Sequence, residues 1–283
     1  FVETRTRMKK GPSYLYALAC SLVPAFASSS EIGMGTTILA IRYRDGVVVG
    51  ADSRTSASGY VSNRFATKVS FILENDFGLN PSPPSDLQLK SALLKQFRAK
   101  KKDGATQLEY HRVKSSTCCI CRSGSSADTQ YLADQARHQL LRRKVINHTT
   151  SSISEVAHLL KRYLSNDALQ ASLICAGYDH LKDDGVIFSI DMGGTMMEQP
   201  LWACSGSGST FVMGYIDNHF PEDANFTEDE AVEFVENAVK LAMDRDGSSG
   251  GVIRLYVINK DGKKSILRLP KSISDEPVSL SKF

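Results

Sequence analysis

The stretch from Gly247 to Gly251 reads GSSGG and matches G-x-S-x-G, the motif that presents the nucleophilic serine of α/β hydrolases. In those enzymes a strand precedes the serine and a helix follows it, so that the hydroxyl is exposed at a sharp turn. Here a strongly patterned helix precedes the motif and a strand follows it. The last histidine is His219, so no histidine follows Ser249 to act as the base. The motif therefore does not predict a serine hydrolase.

Two other clusters match binding motifs only in part. Residues 206–210 read GSGST and begin like a dinucleotide-binding loop, but Phe211 stands where the third glycine belongs, so we expect a tight turn. Cys118, Cys119 and Cys121 crowd together, yet no second pair of cysteines stands at zinc-ligand spacing, and H-E-x-x-H is absent. We therefore expect reduced, mostly buried thiols and no metal or cofactor.

The strands that must position any site are apolar, β-branched runs separated by turn residues. The runs 38–43 and 47–51 flank Arg44-Asp45-Gly46 and predict a β-hairpin. Further strands are predicted at 171–179, 185–193, 196–206, 252–259 and 264–270. Strands that are joined by short turns pair antiparallel, so we expect largely antiparallel sheets.

Helices are predicted where apolar residues recur with a helical period, at 131–141, 156–164 and 231–242. Capping boxes open the second and third of these, at Ser152 and Thr227, each with a glutamate three residues later. Helices that are grouped between runs of strands favour an architecture of helices layered on sheets.

The composition is that of a globular protein with a substantial core. Of 283 residues, 42% are hydrophobic and 23% are charged, which excludes pervasive disorder. No run approaches the ~20 apolar residues that a membrane span needs, so we expect no membrane partner. The formal net charge of +3 is too small to indicate a nucleic-acid partner.

Five stretches with chemically useful residues follow one another along the chain. They are GTT at 35–37, GADSR at 50–54, FATKVS at 65–70, SGSGS at 205–209 and RDGSSGG at 245–251. Together they resemble the active beta-type subunits of the proteasome core particle, over residues 35–71 and 117–270. The resemblance is greatest to the caspase-like beta class, whose CRSGSxADT stretch reads CRSGSSADT here at 121–129. It implies an N-terminal-nucleophile hydrolase fold, an α+β four-layer αββα sandwich of two antiparallel sheets between helix layers.

The resemblance also implies that residues 1–35 are a prosegment and that cleavage between Gly35 and Thr36 leaves 36–283 as a single catalytic domain. Cleavage frees an α-amino group on the residue that carries the nucleophilic hydroxyl. A threonine hydroxyl needs a proton acceptor, and an α-amine with a pKa of about 7.7–8.0 is suitable near neutral pH. Lys68 beside Thr36 would lower the pKa of that amine, and Asp52 would hold Lys68 in place.

Other residues match supporting and specificity positions of the family. The backbone N–H of Gly124 would face the developing oxyanion. The hydrogen-bond network around the amine matches Ser207, Asp246 and Ser249. Arg122 matches the residue that lines the specificity pocket, where a guanidinium favours an acidic side chain, and Thr55 matches a residue near that pocket.

Each of these assignments has a structural alternative. Asp52 could cap the turn after a strand, Lys68 could be a solvated surface lysine, and Gly124 could be needed only for its backbone angles. Arg122 could pair with Asp128 or with a neighbouring subunit. The conjunction of motifs favours the catalytic interpretation.

The chain departs from the family pattern between the Lys68 strand and the CRSGS strand. Residues 72–116 carry prolines and the basic tract Lys100-Lys101-Lys102, where the family has a short connection. They are either a lineage-specific surface loop, tolerable because the entropy of loop closure grows slowly with length, or translated intron. The second interpretation is favoured by the opening residue, Phe1.

Residues 8–27 have the form of a secretory signal peptide, with two lysines before an apolar run. Because the resemblance implies assembly in the cytoplasm and nucleus, we expect that localisation and interpret the stretch as prosegment or as mis-called upstream sequence. The expected function is a threonine endopeptidase subunit that cleaves unfolded polypeptides after acidic residues. Its expected partners are alpha- and beta-type proteasome subunits in stacked rings. The alternative is a non-catalytic structural subunit of the same ring, blocked by the insertion or left unprocessed.

Overall fold

Residues 38–51 form the hairpin that the sequence predicts. Strand β1 (Ile38–Tyr43) runs antiparallel to β2 (Gly46–Ala51), with Arg44 and Asp45 at the turn. Every residue of the two strands is buried except Arg42, which is half-buried. A strand that is covered on both faces needs apolar side chains on both, which explains the nearly continuous apolar run.

The computed structural model describes residues 35–57, 60–73, 116–147, 151–166, 169–221, 223 and 225–269. In that part of the chain the strands β3 to β12 are Thr55–Ala57, Tyr60–Asn63, Val69–Leu73, Thr117–Gly124, Ala171–Asp179, Asp184–Ile190, Met196–Gln199, Trp202–Ser205, Ile253–Asn259 and Gly262–Arg268. The helices α1 to α4 are Ser126–Asn147, Ile153–Asn166, Ser209–His219 and Glu228–Arg245. A short 3-10 helix spans Met192–Gly194.

The strands form two five-stranded antiparallel sheets and one small hairpin. The first sheet has the order β10-β1-β2-β11-β12, the second has the order β5-β6-β7-β8-β9, and β3 pairs with β4. The first sheet joins strands from distant parts of the chain, since β10 lies beside β1 and β11 lies beside β2. Segments that enter or leave these strands are therefore brought to one end of the sheet.

The core consists of three apolar layers. Between the sheets lie residues such as Ile38, Val49, Cys121, Ile174 and Ile187. Helices α3 and α4 cover the first sheet through residues that include Val212, Ile216, Phe234, Val235 and Val239. Helices α1 and α2 cover the second sheet through residues that include Leu132, Leu140, Val156, Leu160 and Leu164. The predicted α+β, four-layer αββα sandwich is confirmed.

Both predicted capping boxes are present at helix starts. At α4 the Thr227 hydroxyl accepts from the backbone N–H of Glu230, and the Glu230 carboxylate accepts from the backbone N–H of Thr227 at 2.8 Å. At α2, Ser152 and Glu155 make the same reciprocal pair, at 3.3 and 3.2 Å. Each box satisfies two backbone donors that the first helical turn leaves open.

Two elements differ from the predicted order, which passes from one strand at 196–206 to the helix at 231–242. The predicted strand is two strands, β9 and β10, which belong to different sheets. Helix α3, which follows them, is not predicted. Its buried side is limited to Ser209, Val212 and Ile216, so it shows little apolar period in the sequence. It also contains β-branched and aromatic residues and Gly214, which have modest or poor helix propensity.

Ile72 and Leu73, the first two residues of the predicted insertion at about 72–116, complete β5. Residues 74–115, which make up nearly all of it, lie outside the described residues, as do residues 1–34 with the signal-like stretch 8–27. Among the helices that are described, none is long and apolar enough to span a membrane.

Candidate active site

Thr36 lies just before β1, next to the glycine-rich turn that follows β10. The register of the two strands pairs Ile38 with Ser205, which places the residues before β1 beside Ser207 and Gly208. The Thr36 backbone N–H donates to Ser207 Oγ at 3.2 Å, and the Thr36 carbonyl accepts from the N–H of Gly208 at 3.1 Å. The turn predicted at 206–210 therefore serves to hold the backbone of Thr36.

The carbonyl oxygen of the peptide bond between Gly35 and Thr36 accepts two hydrogen bonds. The Thr36 hydroxyl donates to the Gly35 carbonyl oxygen at 2.7 Å, and Lys68 Nζ donates to the same oxygen at 2.9 Å. Thr36 and Lys68 are only 5% and 7% exposed. Two donors, one of them cationic, withdraw electron density from this carbonyl and make its carbon more electrophilic.

Lys68 and Asp52 form a buried ion pair. Asp52 follows β2 and Lys68 precedes β5, and the Nζ to Oδ1 distance is 2.7 Å. Burial lowers the pKa of the Lys68 ammonium, and the charge of Asp52 opposes that effect. Lys68 is therefore not the solvated surface lysine of the structural alternative.

Asp52 is held by more than its lysine. Its Oδ1 accepts from the N–H of Thr37 at 2.8 Å, while Oδ2 accepts from the N–H groups of Gly250 and Arg54 at 2.9 and 3.1 Å. A buried carboxylate is tolerated where each oxygen has donors, as here. Asp52 therefore both caps the turn after β2 and contacts Lys68.

Asp246 joins two serines, one of which contacts Thr36. Ser207 and Ser249 each donate to its Oδ2 at 2.6 Å, and the N–H of Ser248 donates to Oδ1 at 3.0 Å. Burial acts to raise the pKa of Asp246, but the hydrogen bonds from Ser207 and Ser249 and the nearby Lys68 charge bring the pKa below its usual value. The group is therefore an ionised acceptor near neutral pH.

Gly124 ends β6 with a φ of 106°, a backbone conformation that a side chain would strain. A Cβ at that position would also lie 2.4 Å from the carbonyl oxygen of Gln170. The structural requirement for glycine is thus met.

Arg122 lies two residues earlier on β6 than Gly124 and is tied to the Lys68 segment. Its backbone N–H donates to the Lys68 carbonyl at 2.8 Å, and its Nη2 donates to the Thr67 carbonyl at 2.5 Å. The Nε atom is buried and has no hydrogen-bond partner among the described residues. Asp128, one alternative partner, accepts from the N–H of Gln170.

Thr55 begins β3 and pairs with Asn63 in the β3–β4 hairpin. It follows Asp52 by three positions, but within the described residues its side chain makes no hydrogen bond to the network of Thr36, Lys68 and Asp246. The structure thus brings together Thr36, Asp52, Lys68, Ser207, Asp246 and Ser249, and places Gly124 and Arg122 on the strand beside the lysine segment.

Two residues that the sequence did not single out belong to this network. Thr37 is fully buried with its Oγ1 2.7 Å from Ser249 Oγ. Arg54 donates from Nη1 to the Gly247 carbonyl at 2.9 Å and lies over Gly250, thereby joining the segment after β2 to the segment before β11. The sequence signal for both residues is that Thr37 lies in the GTT stretch and Arg54 in the GADSR stretch, next to predicted site residues.

The crowded cysteines lie in the core. Cys118, Cys119, Cys121 and Cys175 are buried and free, with the sulfur atoms of Cys118 and Cys175 3.4 Å apart. The contact with Cys175, followed by burial, raises the pKa of Cys118, and burial, followed by the contact with Cys119, raises the pKa of Cys121. Such thiols are poor nucleophiles and poor metal ligands. In the described part of the chain no three potential metal-ligating side chains cluster.

Comparison with known proteins identifies the family. A model of the family described as "Proteasome subunit" matches residues 32–79 and 108–258. The chain is 39% identical to the probable proteasome subunit beta type-1 of Schizosaccharomyces pombe, over 82% of this chain and 83% of that one. It is 35% identical to proteasome subunit beta type-6 of Dictyostelium discoideum (82% and 88% covered) and 34% identical to proteasome subunit beta type-1 of Saccharomyces cerevisiae (85% and 91% covered). The chain therefore belongs to the proteasome subunit family, as a beta-type subunit of the core particle.

Proposed function

We propose that this chain is a threonine endopeptidase of the proteasome core particle, with Thr36 as the nucleophile after residues 1–35 are removed. The observation that carries the proposal is the convergence of two polar networks on one residue. Lys68, paired with Asp52, donates to the carbonyl that precedes Thr36, and Ser207, linked to Asp246 and through it to Ser249, accepts from the Thr36 N–H. A purely structural subunit has no need of a buried lysine that donates to the carbonyl before its threonine.

Self-cleavage begins at the Gly35 carbonyl. The Thr36 hydroxyl oxygen attacks the Gly35 carbonyl carbon and gives up its proton, and Lys68 stabilises the negative charge that develops on the carbonyl oxygen, to which it already donates at 2.9 Å. The Thr36 nitrogen takes up a proton as the C–N bond breaks, which transfers the Gly35 acyl group to the threonine oxygen and leaves a free α-amine. Water hydrolyses the resulting ester and releases Thr36 as the first residue of the mature domain, 36–283.

Peptide hydrolysis repeats this chemistry on a substrate. The new α-amine accepts the proton of the Thr36 hydroxyl while the oxygen attacks the substrate carbonyl. Ammonium Lys68, held by Asp52, favours the neutral form of the amine, since two adjacent positive charges repel. The Gly124 N–H stabilises the oxyanion, and the amine protonates the departing amino group. Water then cleaves the acyl-threonine ester.

The selectivity that we propose is cleavage after acidic residues. Arg122 supports it because its guanidinium is held beside the Lys68 segment, through Nη2 and the Thr67 carbonyl, and attracts a carboxylate of the substrate there. We assign Thr55 to the same pocket. The beta type-1 names of two of the relatives point to the same class. The proposed substrates are unfolded polypeptides, the proposed partners are the other alpha- and beta-type subunits, and the proposed location is the cytoplasm and nucleus.

Thr36→Ser and Thr36→Ala, each incorporated into particles whose other active sites are inactivated, test the proposal. Serine keeps a hydroxyl, so we expect a processed chain that begins at residue 36 and measurable peptide hydrolysis. Alanine removes the nucleophile, so we expect an unprocessed chain and no hydrolysis. N-terminal sequencing and fluorogenic peptides give the two readouts. An Ala variant that is still processed or active, or a wild-type chain that keeps residues before Thr36, would favour the non-catalytic subunit instead.

A further inference from the structure

Thr37 has a buried hydroxyl that the proposed chemistry does not use. The residue is 0% exposed, and its Oγ1 lies 2.7 Å from Ser249 Oγ. Its backbone N–H donates to Asp52 Oδ1, the same oxygen that accepts from Lys68. Thr37 is thus in contact with both networks that converge on Thr36.

The direction of the hydrogen bond between Thr37 and Ser249 follows from the neighbouring groups. Ser249 has a single hydroxyl hydrogen and lies 2.6 Å from Asp246 Oδ2, and an ionised carboxylate can only accept. Ser249 therefore donates to Asp246, which leaves only a lone pair for Thr37. The Thr37 hydroxyl is the donor, and the order is Thr37 to Ser249 to Asp246.

The same reasoning applies on the other side of Asp246. Ser207 gives its hydrogen to Asp246 Oδ2 at 2.6 Å and accepts from the Thr36 N–H at 3.2 Å. Asp246 Oδ2 is therefore shared by two hydroxyls, one continuing to Thr36 and the other to Thr37. A stronger hydrogen bond from Ser249 draws negative charge at Asp246 Oδ2 toward Ser249. Less charge then remains to polarise the Ser207 hydroxyl, because hydrogen bonds in a chain polarise one another.

The surroundings leave Thr37 little freedom. A Cβ on Gly208 would lie 1.9 Å from Thr37 Oγ1 and 3.1 Å from Ser249 Oγ, so the glycine provides the space that the hydroxyl pair occupies. Ser249 is also 0% exposed, which keeps water from competing for its lone pair.

We propose that Thr37 is a positioning residue whose hydroxyl, acting through Ser249 and Asp246, sets the proton affinity of the α-amine of Thr36. The inference rests on the proposed function, since it needs Thr36 to be a free amine. When Thr37 donates to Ser249, Ser249 donates more strongly to Asp246, and Ser207 becomes a weaker acceptor for the Thr36 amine. The ammonium form of that amine is therefore less favoured. Without that donation, the amine binds its proton more tightly and is a base only at higher pH.

The charged side chains around the amine are the same in both variants. Ser207 links Thr36 to Asp246, and Lys68 contacts the Gly35 carbonyl with Asp52 and Arg54 beside it. A change at Thr37 replaces none of these four charged side chains. A shift in the pH profile therefore reports the relay through Ser249.

The test compares Thr37→Val with Thr37→Ser in assembled particles whose other active sites are inactivated. Valine has nearly the shape of threonine but cannot donate, whereas serine keeps the hydroxyl. The measurement is kcat and KM for a fluorogenic peptide between about pH 6 and pH 9. We expect Thr37→Val to shift the acidic limb of the kcat profile to higher pH by about 0.5–1 unit. On that limb kcat then falls about threefold to tenfold, and it recovers at high pH. We expect Thr37→Ser to keep the wild-type limb.

Two outcomes overturn the inference: an acidic limb in Thr37→Val that coincides with the wild type, or an equal loss of kcat at every pH. If Thr37→Val does not assemble, Thr37→Cys replaces it, because a thiol fits the site and donates only weakly; a wild-type limb in that variant also overturns the inference. Thr36→Ala in the same particles distinguishes a failure of the proposed function from a failure of the role proposed for Thr37. If Thr36→Ala retains activity, the proposed function fails; if it is inactive while the Thr37 limb does not move, only the role of Thr37 fails.

Discussion

A side chain at Gly35 would collide with Ser248. A Cβ built on Gly35 would lie 2.0 Å from the Ser248 carbonyl oxygen and 2.2 Å from the Ser248 Cβ, far inside van der Waals contact. The residue before Thr36 therefore has to be glycine for the Gly35 carbonyl to remain between the Thr36 hydroxyl and Lys68.

We accordingly predict that Gly35→Ala blocks processing. The backbone must move to admit the methyl group, and the carbonyl then loses its alignment with Lys68, which we expect to slow cleavage by at least about 100-fold. Intact mass measured during particle assembly gives the extent of cleavage. Gly214→Ala is the matched control, because a Cβ there meets nothing within 4 Å. Normal processing in Gly35→Ala would refute the steric argument.

A second prediction concerns the cost of breaking the buried ion pair. Lys68→Met leaves the fully buried Asp52 without its cation, and a buried charge that loses its partner costs about 3–5 kcal/mol. We expect a large drop in the denaturation midpoint as well as loss of hydrolysis. Lys182→Met removes an exposed pair with Glu198 and should cost no more than about 1 kcal/mol. Equal midpoints for the two variants would contradict this view of Lys68.

The pH dependence of the free energy of unfolding should show how much the hydrogen bonds of ionised Asp246 stabilise the fold. The folded-state pKa of Asp246 lies below the ordinary value of 3.8, so its hydrogen bonds stabilise the fold above that value, and the contribution is lost as pH falls through the lower, folded-state pKa. Asp246→Asn should therefore be destabilised relative to wild type at neutral pH, with a difference that shrinks below about pH 4. Thermal unfolding over a pH series measures this. A difference that stays constant down to low pH would assign the loss to packing.

A fourth prediction tests selectivity. Arg122→Met keeps much of the volume but removes the charge, so cleavage after acidic residues should fall by roughly tenfold to 100-fold, the worth of a charge-assisted hydrogen bond. Cleavage after leucine should hold or rise. The ratio of kcat/KM for acidic and leucine peptides is the measurement, and Arg143→Met, on the exposed side of α1, is the control. An unchanged ratio would remove Arg122 from the pocket and leave the threonine chemistry intact.

The local patterns of the sequence were sufficient for most of the fold. The hairpin of β1 and β2, the strand at 171–179 and the capping boxes at Ser152 and Thr227 appear where the residues predict them, because each depends on interactions between near neighbours in the chain. Helix α3 was missed because its narrow buried side is defined by the sheet on which it packs. The motif stretches likewise indicate the family, because each is a contiguous run of residues.

What only the tertiary structure decided is which atoms meet. Thr36 and Ser207 are separated by 171 positions and meet because β10 pairs with β1. Lys68 and Asp52 are separated by 16 positions and meet although β2 and β5, the strands next to them, belong to different sheets. The pairing of β2 with both β1 and β11 places Thr37 against Ser249, at 212 positions' separation, which no local pattern encodes. Whether two polar groups form a hydrogen bond depends on distances of a few tenths of an ångström, and those are set by the packed sheets rather than by any one segment.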